Sequence, residues 1–213
     1  MAVVIEPSPS NSNAVADREY RMPASVFLRA VEAEVFPEDS RVYLRDGRML
    51  TKMAKKIAHA AASECVRVAL TSVLPDGWSF WQENPILTNE FSAPLPDLCI
   101  VKGRALDYYQ RHAVPSAGEI ALVIEVADNS LAEDRTEALR DYAGAGIPIY
   151  WILNLVDWQV EVYSVPRTDR GVSSYERRVE YAVDRDVPFL LDGREVAQVP
   201  ARLILPGIRR FGS

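Results

Sequence analysis

The segment EIALVIEV, residues 119 to 126, constrains the fold more than any other: between its two glutamates every side chain is apolar. A half-exposed strand alternates polar and apolar residues. A run this continuous needs cover on both faces, so it predicts a central strand of a layered α/β sheet. Glu125, placed at the end of that strand, then stands out, because a buried carboxylate costs free energy unless something pairs with it.

The surrounding sequence supplies the layers. PASVFLRAVEAEVF reads as a short amphipathic helix starting at Pro23 and Ala24. VYLRDGRML folds back at Asp46-Gly47, a dipeptide suited to the positive φ of a tight hairpin. A helical pattern from about Met53 to Leu74 follows, then WSFWQENPILT as a strand broken at Pro85 and PDLCIV as a strand over 97–101. RALDYYQRH predicts a short helix. SLAE at 130–133 has capping-box spacing, so a helix begins at Ser130 and ends in AGAGIP. IYWILNL and QVEVYS predict two antiparallel strands, SYERRVEYAV an edge strand and PARLIL a closing helix.

With 213 residues, 48% of them hydrophobic and 25% charged, the chain is long enough for one domain with a substantial core, expected over 21–213. Residues 1–20, rich in Pro, Ser and Asn, read as a flexible N-terminal tail. No stretch approaches the roughly 18 consecutive apolar residues of a membrane span, and MAVVIEPSPS lacks the make-up of a signal peptide. A cytoplasmic protein without a membrane partner is expected. Cys65 and Cys99 have no spaced His or Cys partner, which excludes a zinc site and a disulfide framework and reads as two buried thiols. The net charge of −6 argues against nonspecific cationic binding to nucleic acid, yet RVYLRDGRMLTKMAKK gathers Arg41, Arg45, Arg48, Lys52, Lys55 and Lys56 against one acid. That stretch is either a solvated hairpin rim or a surface that follows phosphates.

Asp97 opens one strand and Glu125 ends a neighbour, so the two can converge on one hard divalent ion, for which two carboxylates, a backbone carbonyl and water suffice. The alternative is that each caps a strand end or pairs with an arginine. His59 stands among alanines on the long helix, as either a packed residue or a substrate contact. Trp78, Trp81 and Trp151 read either as strand core or as platforms on which exposed bases stack. Asp128 and Asp134 read as groups supporting a site, or as helix-start acids that favour the macrodipole.

PDLCIV followed by LVIEVADNSLAEDRTEALRDYAGAGIPIYWILNLVDWQVEVYS resembles the Uma-type family of restriction endonucleases, a branch of the PD-(D/E)xK nuclease superfamily. The likeness includes Pro96-Asp97, Glu125-Val126, Asp128, Ser130, Asp134-Arg135, Tyr142, Gly146-Ile147-Pro148 and Tyr150-Trp151, and covers most of 21–205 if Asp46 to His59 is counted. It implies a restriction-endonuclease-like α/β fold, a mixed central β-sheet flanked by α-helices. It also implies a phosphodiesterase site with Asp97 and Glu125 as catalytic metal ligands, the carbonyl of Val126 completing the set, and Mg²⁺ or Mn²⁺ as cofactor. The family's lysine falls in a DRxxK arrangement that here reads DRTEA, so its position is Ala138. A family glutamate three residues before the aspartate of the DG turn is likewise replaced, by Tyr43.

These readings give a metal-dependent DNA endonuclease, weakly active because position 138 is Ala138, with Arg135 as a substitute cation. Arg45, Arg48, Lys52, Lys55, Lys56 and His59 are its expected substrate contacts, DNA is its partner, and a homodimer is compatible with it. The alternative is a catalytically degenerate nuclease-fold protein acting as a nucleic-acid-binding or regulatory module.

Overall fold

The computed structural model describes residues 19–37 and 40–205. All but two residues of the expected N-terminal tail therefore lie outside the described residues. Helix α1 (Ala24–Glu32) begins where Pro23 predicts and buries Ala24 and Phe27. Strands β1 (Val42–Arg45) and β2 (Arg48–Thr51) form the expected hairpin. Its turn residues Asp46 and Gly47 have φ of 50° and 80°. Gly47 is obligatory for a second reason, since a Cβ there would lie 2.9 Å from the Arg21 backbone.

The long helix α2 (Ile57–Thr71) begins four residues later than the sequence suggests, which leaves residues 52–56 as irregular chain. Strands β3 (Trp78–Gln82), β4 (Leu98–Lys102) and β5 (Ile120–Ala127) follow, with helix α3 (Ala105–Arg111) between the last two. Every residue of β5 is buried, as its continuous apolar run demands. One helical stretch then crosses to the next strand. It consists of α4 (Leu131–Glu133), a π-helical turn (Asp134–Ala138) and α5 (Leu139–Gly144). Strands β6 (Ile149–Asn154), β7 (Gln159–Asp169) and β8 (Val172–Ala182), the hairpin β9 (Asp186–Leu191) and β10 (Arg194–Pro200), and helix α6 (Ala201–Ile204) complete the described residues.

The central sheet has six strands in the order β3-β4-β5-β6-β7-β8. It is antiparallel except at β5 and β6, which the helical crossover makes parallel. Side-chain alternation divides the core between its two faces. Leu98, Ile100, Leu122, Ile124, Val126, Trp151 and Leu153 face α2, while Cys99, Val101, Val123, Tyr150 and Ile152 face Tyr142 of α5. Cys65 is only partly buried, contrary to expectation, and Cys99 is fully buried. Among the described residues no helix is long and apolar enough to cross a membrane.

Candidate active site

Strands β4 and β5 pair with Leu98 opposite Ile124, so continuing that register one step places Asp97 opposite Glu125. Both acids share the strand parity that faces α5, and both are nearly inaccessible, at 2% and 3% exposure. The backbone ties them together. The Val126 N–H donates to Asp97 Oδ2 at 2.9 Å, and the Asp97 N–H donates to Glu125 Oε2 at 3.2 Å. Tyr142, a residue to which the sequence assigned no role, donates its hydroxyl to Glu125 Oε1 at 2.6 Å. The sequence places Glu125 at the end of its strand; in the structure β5 continues two residues past it.

Lys52 closes the pair. The hairpin docks on the segment that leads into β4, with Leu44 and Ala93 exchanging backbone hydrogen bonds and the Gly47 N–H reaching the Phe91 carbonyl. The Lys52 N–H bonds the Arg41 carbonyl, extending the ladder one residue past Thr51. Its side chain thereby enters the site, where Nζ lies 2.9 Å from Glu125 Oε2 and 3.3 Å from Asp97 Oδ1. A site short of an ammonium because position 138 is Ala138 was the expectation, and the geometry corrects it. The ammonium arrives from the hairpin side of the same cavity that Ala138 lines.

Three further basic side chains surround Asp97. Lys55 Nζ is 3.2 Å from Oδ1 and is also held by Glu83 at 2.6 Å. Arg41 NH2 is 3.9 Å from Oδ1, and His59 Nε2 is 3.2 Å from Oδ2. Both of these nitrogens are buried and lack an aligned hydrogen-bond acceptor. Burial pushes the Asp97 carboxyl upward, but Lys52, His59 and Lys55 together hold it well below the usual carboxylate range. Burial prevails at Glu125, which is raised despite Lys52 and with Asp97 adding to the rise. Lys52 is itself partly buried, which favours the neutral amine, yet Glu125 and Asp97 outweigh this and keep it firmly protonated.

The other expected site residues divide. Lys56 stays near the rim, contacting Asn129 at 2.9 Å and Asp128 at 3.1 Å. Arg45 is not free for substrate: Glu133, Glu137 and Asp141 engage it at 3.0, 2.6 and 2.8 Å. Arg48 lies at the surface with Glu19. Arg135 is no substitute cation. Its guanidinium turns away to the fully buried Glu161, which Tyr163, Asn154 and Arg178 also contact. Tyr43 is buried at the cavity wall with its hydroxyl 3.4 Å from Glu133. The Ser130 hydroxyl does not cap the helix; it donates to Asp134 Oδ2 at 2.6 Å.

One open cavity of about 170 Å³ carries Arg41, Lys52, Lys55, Lys56 and His59 above the two acids. A model of the Uma2 family, described as "Putative restriction endonuclease", matches residues 27–191. No curated protein matches the sequence. Among solved structures, a "putative nuclease belonging to DUF820" from Anabaena variabilis ATCC 29413 aligns with a TM-score of 0.61. The two are 15% identical, and the alignment covers 86% of this chain and 97% of that one. At that identity the likeness shows a shared fold.

Proposed function

We propose that this chain, which belongs to the Uma2 family, hydrolyses phosphodiester bonds of DNA with a divalent ion held between Asp97 and Glu125. One observation carries the reading: two buried carboxylates from paired strands converge at the floor of a cavity whose wall also carries Arg41, Lys52, Lys55 and Lys56. The residues present fit a hard ion. No group of three His, Cys, Asp or Glu side chains forms a metal cluster among the described residues. Two carboxylates with water suit Mg²⁺ or Mn²⁺ better than a metal needing a full protein cage. Val126 adds a third oxygen, because a strand residue's C=O leaves on the same side as its N–H, and that N–H meets Asp97.

A bound ion supplies Lewis-acid polarisation of the phosphate and a more acidic water. The chain's own groups do the rest. Arg41 NH2 and His59 Nε2, which lie beside Asp97 without an aligned hydrogen bond to it, can donate to phosphate oxygens. Tyr142 fixes the Glu125 carboxylate from behind, so its other oxygen faces the cavity.

A second reading, a degenerate module that binds nucleic acid without cutting it, draws on the same geometry, because Lys52 already lies between the carboxylates where an ion would sit. Incubation of supercoiled plasmid and single-stranded DNA with the full chain in Mg²⁺ or Mn²⁺ separates the two. The endonuclease reading expects cleavage that Asp97→Asn lowers by at least about 10²-fold, the scale of deleting one preorganised electrostatic group. Cleavage equal in Asp97→Asn would mean a contaminant or another site. DNA binding without cleavage in either metal would favour the module.

A further inference from the structure

We infer that Lys52 is the catalytic cation of this site, doing from the end of β2 what a lysine at position 138 would do from the helical crossover. The inference rests on the phosphodiesterase reading of Asp97 and Glu125 and deepens it. Its basis is a set of contacts peculiar to this lysine. Lys55 is also held by Glu83, and Lys56 by Asp128 and Asn129 at the rim, whereas among the described residues Lys52 Nζ pairs with the two central carboxylates alone. Arg41 is anchored elsewhere by its bond from NH1 to the Met53 carbonyl. Ala138, at 5% exposure, opens into the same cavity, so positions 52 and 138 address one pair of acids from different elements.

An ammonium there acts by charge. As the water oxygen bonds to phosphorus and the ester P–O bond breaks, negative charge grows on the phosphoryl oxygens. The water loses a proton to solvent and the leaving oxygen takes one from solvent. Lys52 keeps its proton throughout and stabilises that charge, the role of a preorganised electrostatic group in a site partly shielded from water. It has a long, flexible side chain with its base on a hairpin residue, so it can yield the space between the acids to an ion and still remain beside the phosphate.

The test compares wild type, Lys52→Met, Ala138→Lys and the double variant Lys52→Met with Ala138→Lys, all as full chains. Plasmid cleavage in Mg²⁺ and the Mn²⁺-induced rise in melting temperature are measured for each. Lys52→Met should lose about 10²- to 10³-fold in cleavage. It should keep the Mn²⁺ rise and enlarge it, because the ammonium no longer competes for Asp97 and Glu125. Adding Ala138→Lys to Lys52→Met should recover most of the lost rate, which a merely structural lysine would not allow. Ala138→Lys alone should add little, since the place is filled.

Wild-type cleavage rates in Lys52→Met overturn the inference, as does a large gain from Ala138→Lys with Lys52 present. If Lys52→Met does not fold, that last comparison decides by itself. An inactive wild type beside an active Ala138→Lys variant defeats Lys52 but leaves the nuclease reading standing. If both are inactive, the nuclease reading falls and the inference falls with it.

Discussion

Asp134 lines the cavity at 7% exposure, close enough to Glu125 for the two charges to oppose each other. Burial first and Glu125 second push its carboxyl up to about 8, although the Ser130 hydroxyl favours the charged form. The folded protein therefore holds a proton there between about pH 4 and pH 8 that the unfolded chain has released. Where the native state binds more protons, stability falls as pH rises, so this group's contribution is present at low pH and is lost through that window. Asp134→Asn keeps the acceptor for Ser130 and removes the titration. Its stability relative to wild type should rise by up to about 1.4 kcal/mol per pH unit across the window. Urea unfolding of both proteins at pH 5, 7 and 9 checks this, and parallel profiles would place the charge elsewhere. At the same scale, Asp97 and Glu125 were legible because acids at the ends of apolar strands have no packing reason to be there. Lys52 was legible only as one of several substrate contacts: six cations lie from Arg41 to Lys56, and the docking of the hairpin decides which of them turn inward.

The helical crossover shows what elements add to residues. Its acids Glu133, Glu137 and Asp141 recur every four residues and meet on Arg45, while Arg135 from the π-helical turn reaches across to Glu161 of β7. The turn is held at both sides, and a π-turn of this kind often marks a functional site. Removing Arg45 would leave three like charges facing one another. Asp141, already raised to about 6 by burial against the pull of Arg45, would be the most exposed to that loss. Arg45→Ala should destabilise the protein by about 1–3 kcal/mol, whereas Arg48→Ala, whose pair with Glu19 is exposed, should change stability by less than about 1 kcal/mol. Chemical denaturation of both variants tests the contrast, and equal effects would deny Arg45 its clamping role. Sequence periodicity located this crossover and both its ends, but not its π-turn, because a π-turn depends on partners in other elements. The β9–β10 hairpin was missed although its signal was present: Asp192-Gly193 has φ of 48° and 73°, the same turn chemistry as Asp46-Gly47.

For the molecule as a whole, charge decides how DNA could be held. The chain carries a net charge of −6, and much of its basic stretch is neutralised internally, by three acids on Arg45 and by Glu19 on Arg48. What remains around the cavity is Arg41, Lys52, Lys55 and Lys56, with His59 beside them. Each phosphate contact on duplex DNA contributes about −0.9 to the slope of log affinity against log salt, so four cations set a ceiling of about −3.6. The remaining acidic surface repels the flanking duplex and works against any larger footprint. Binding should thus be local and modest in its salt dependence, losing about a hundredfold between 50 and 200 mM salt. Fluorescence anisotropy of a labelled duplex with Asp97→Asn in the presence of a chelator measures the slope without cleavage. Lys56→Ala, which removes the most exposed of the four, should flatten the slope by about one contact. A slope twice as steep, unchanged by Lys56→Ala, would require a phosphate-tracking surface away from the cavity and would separate DNA recognition from Asp97 and Glu125.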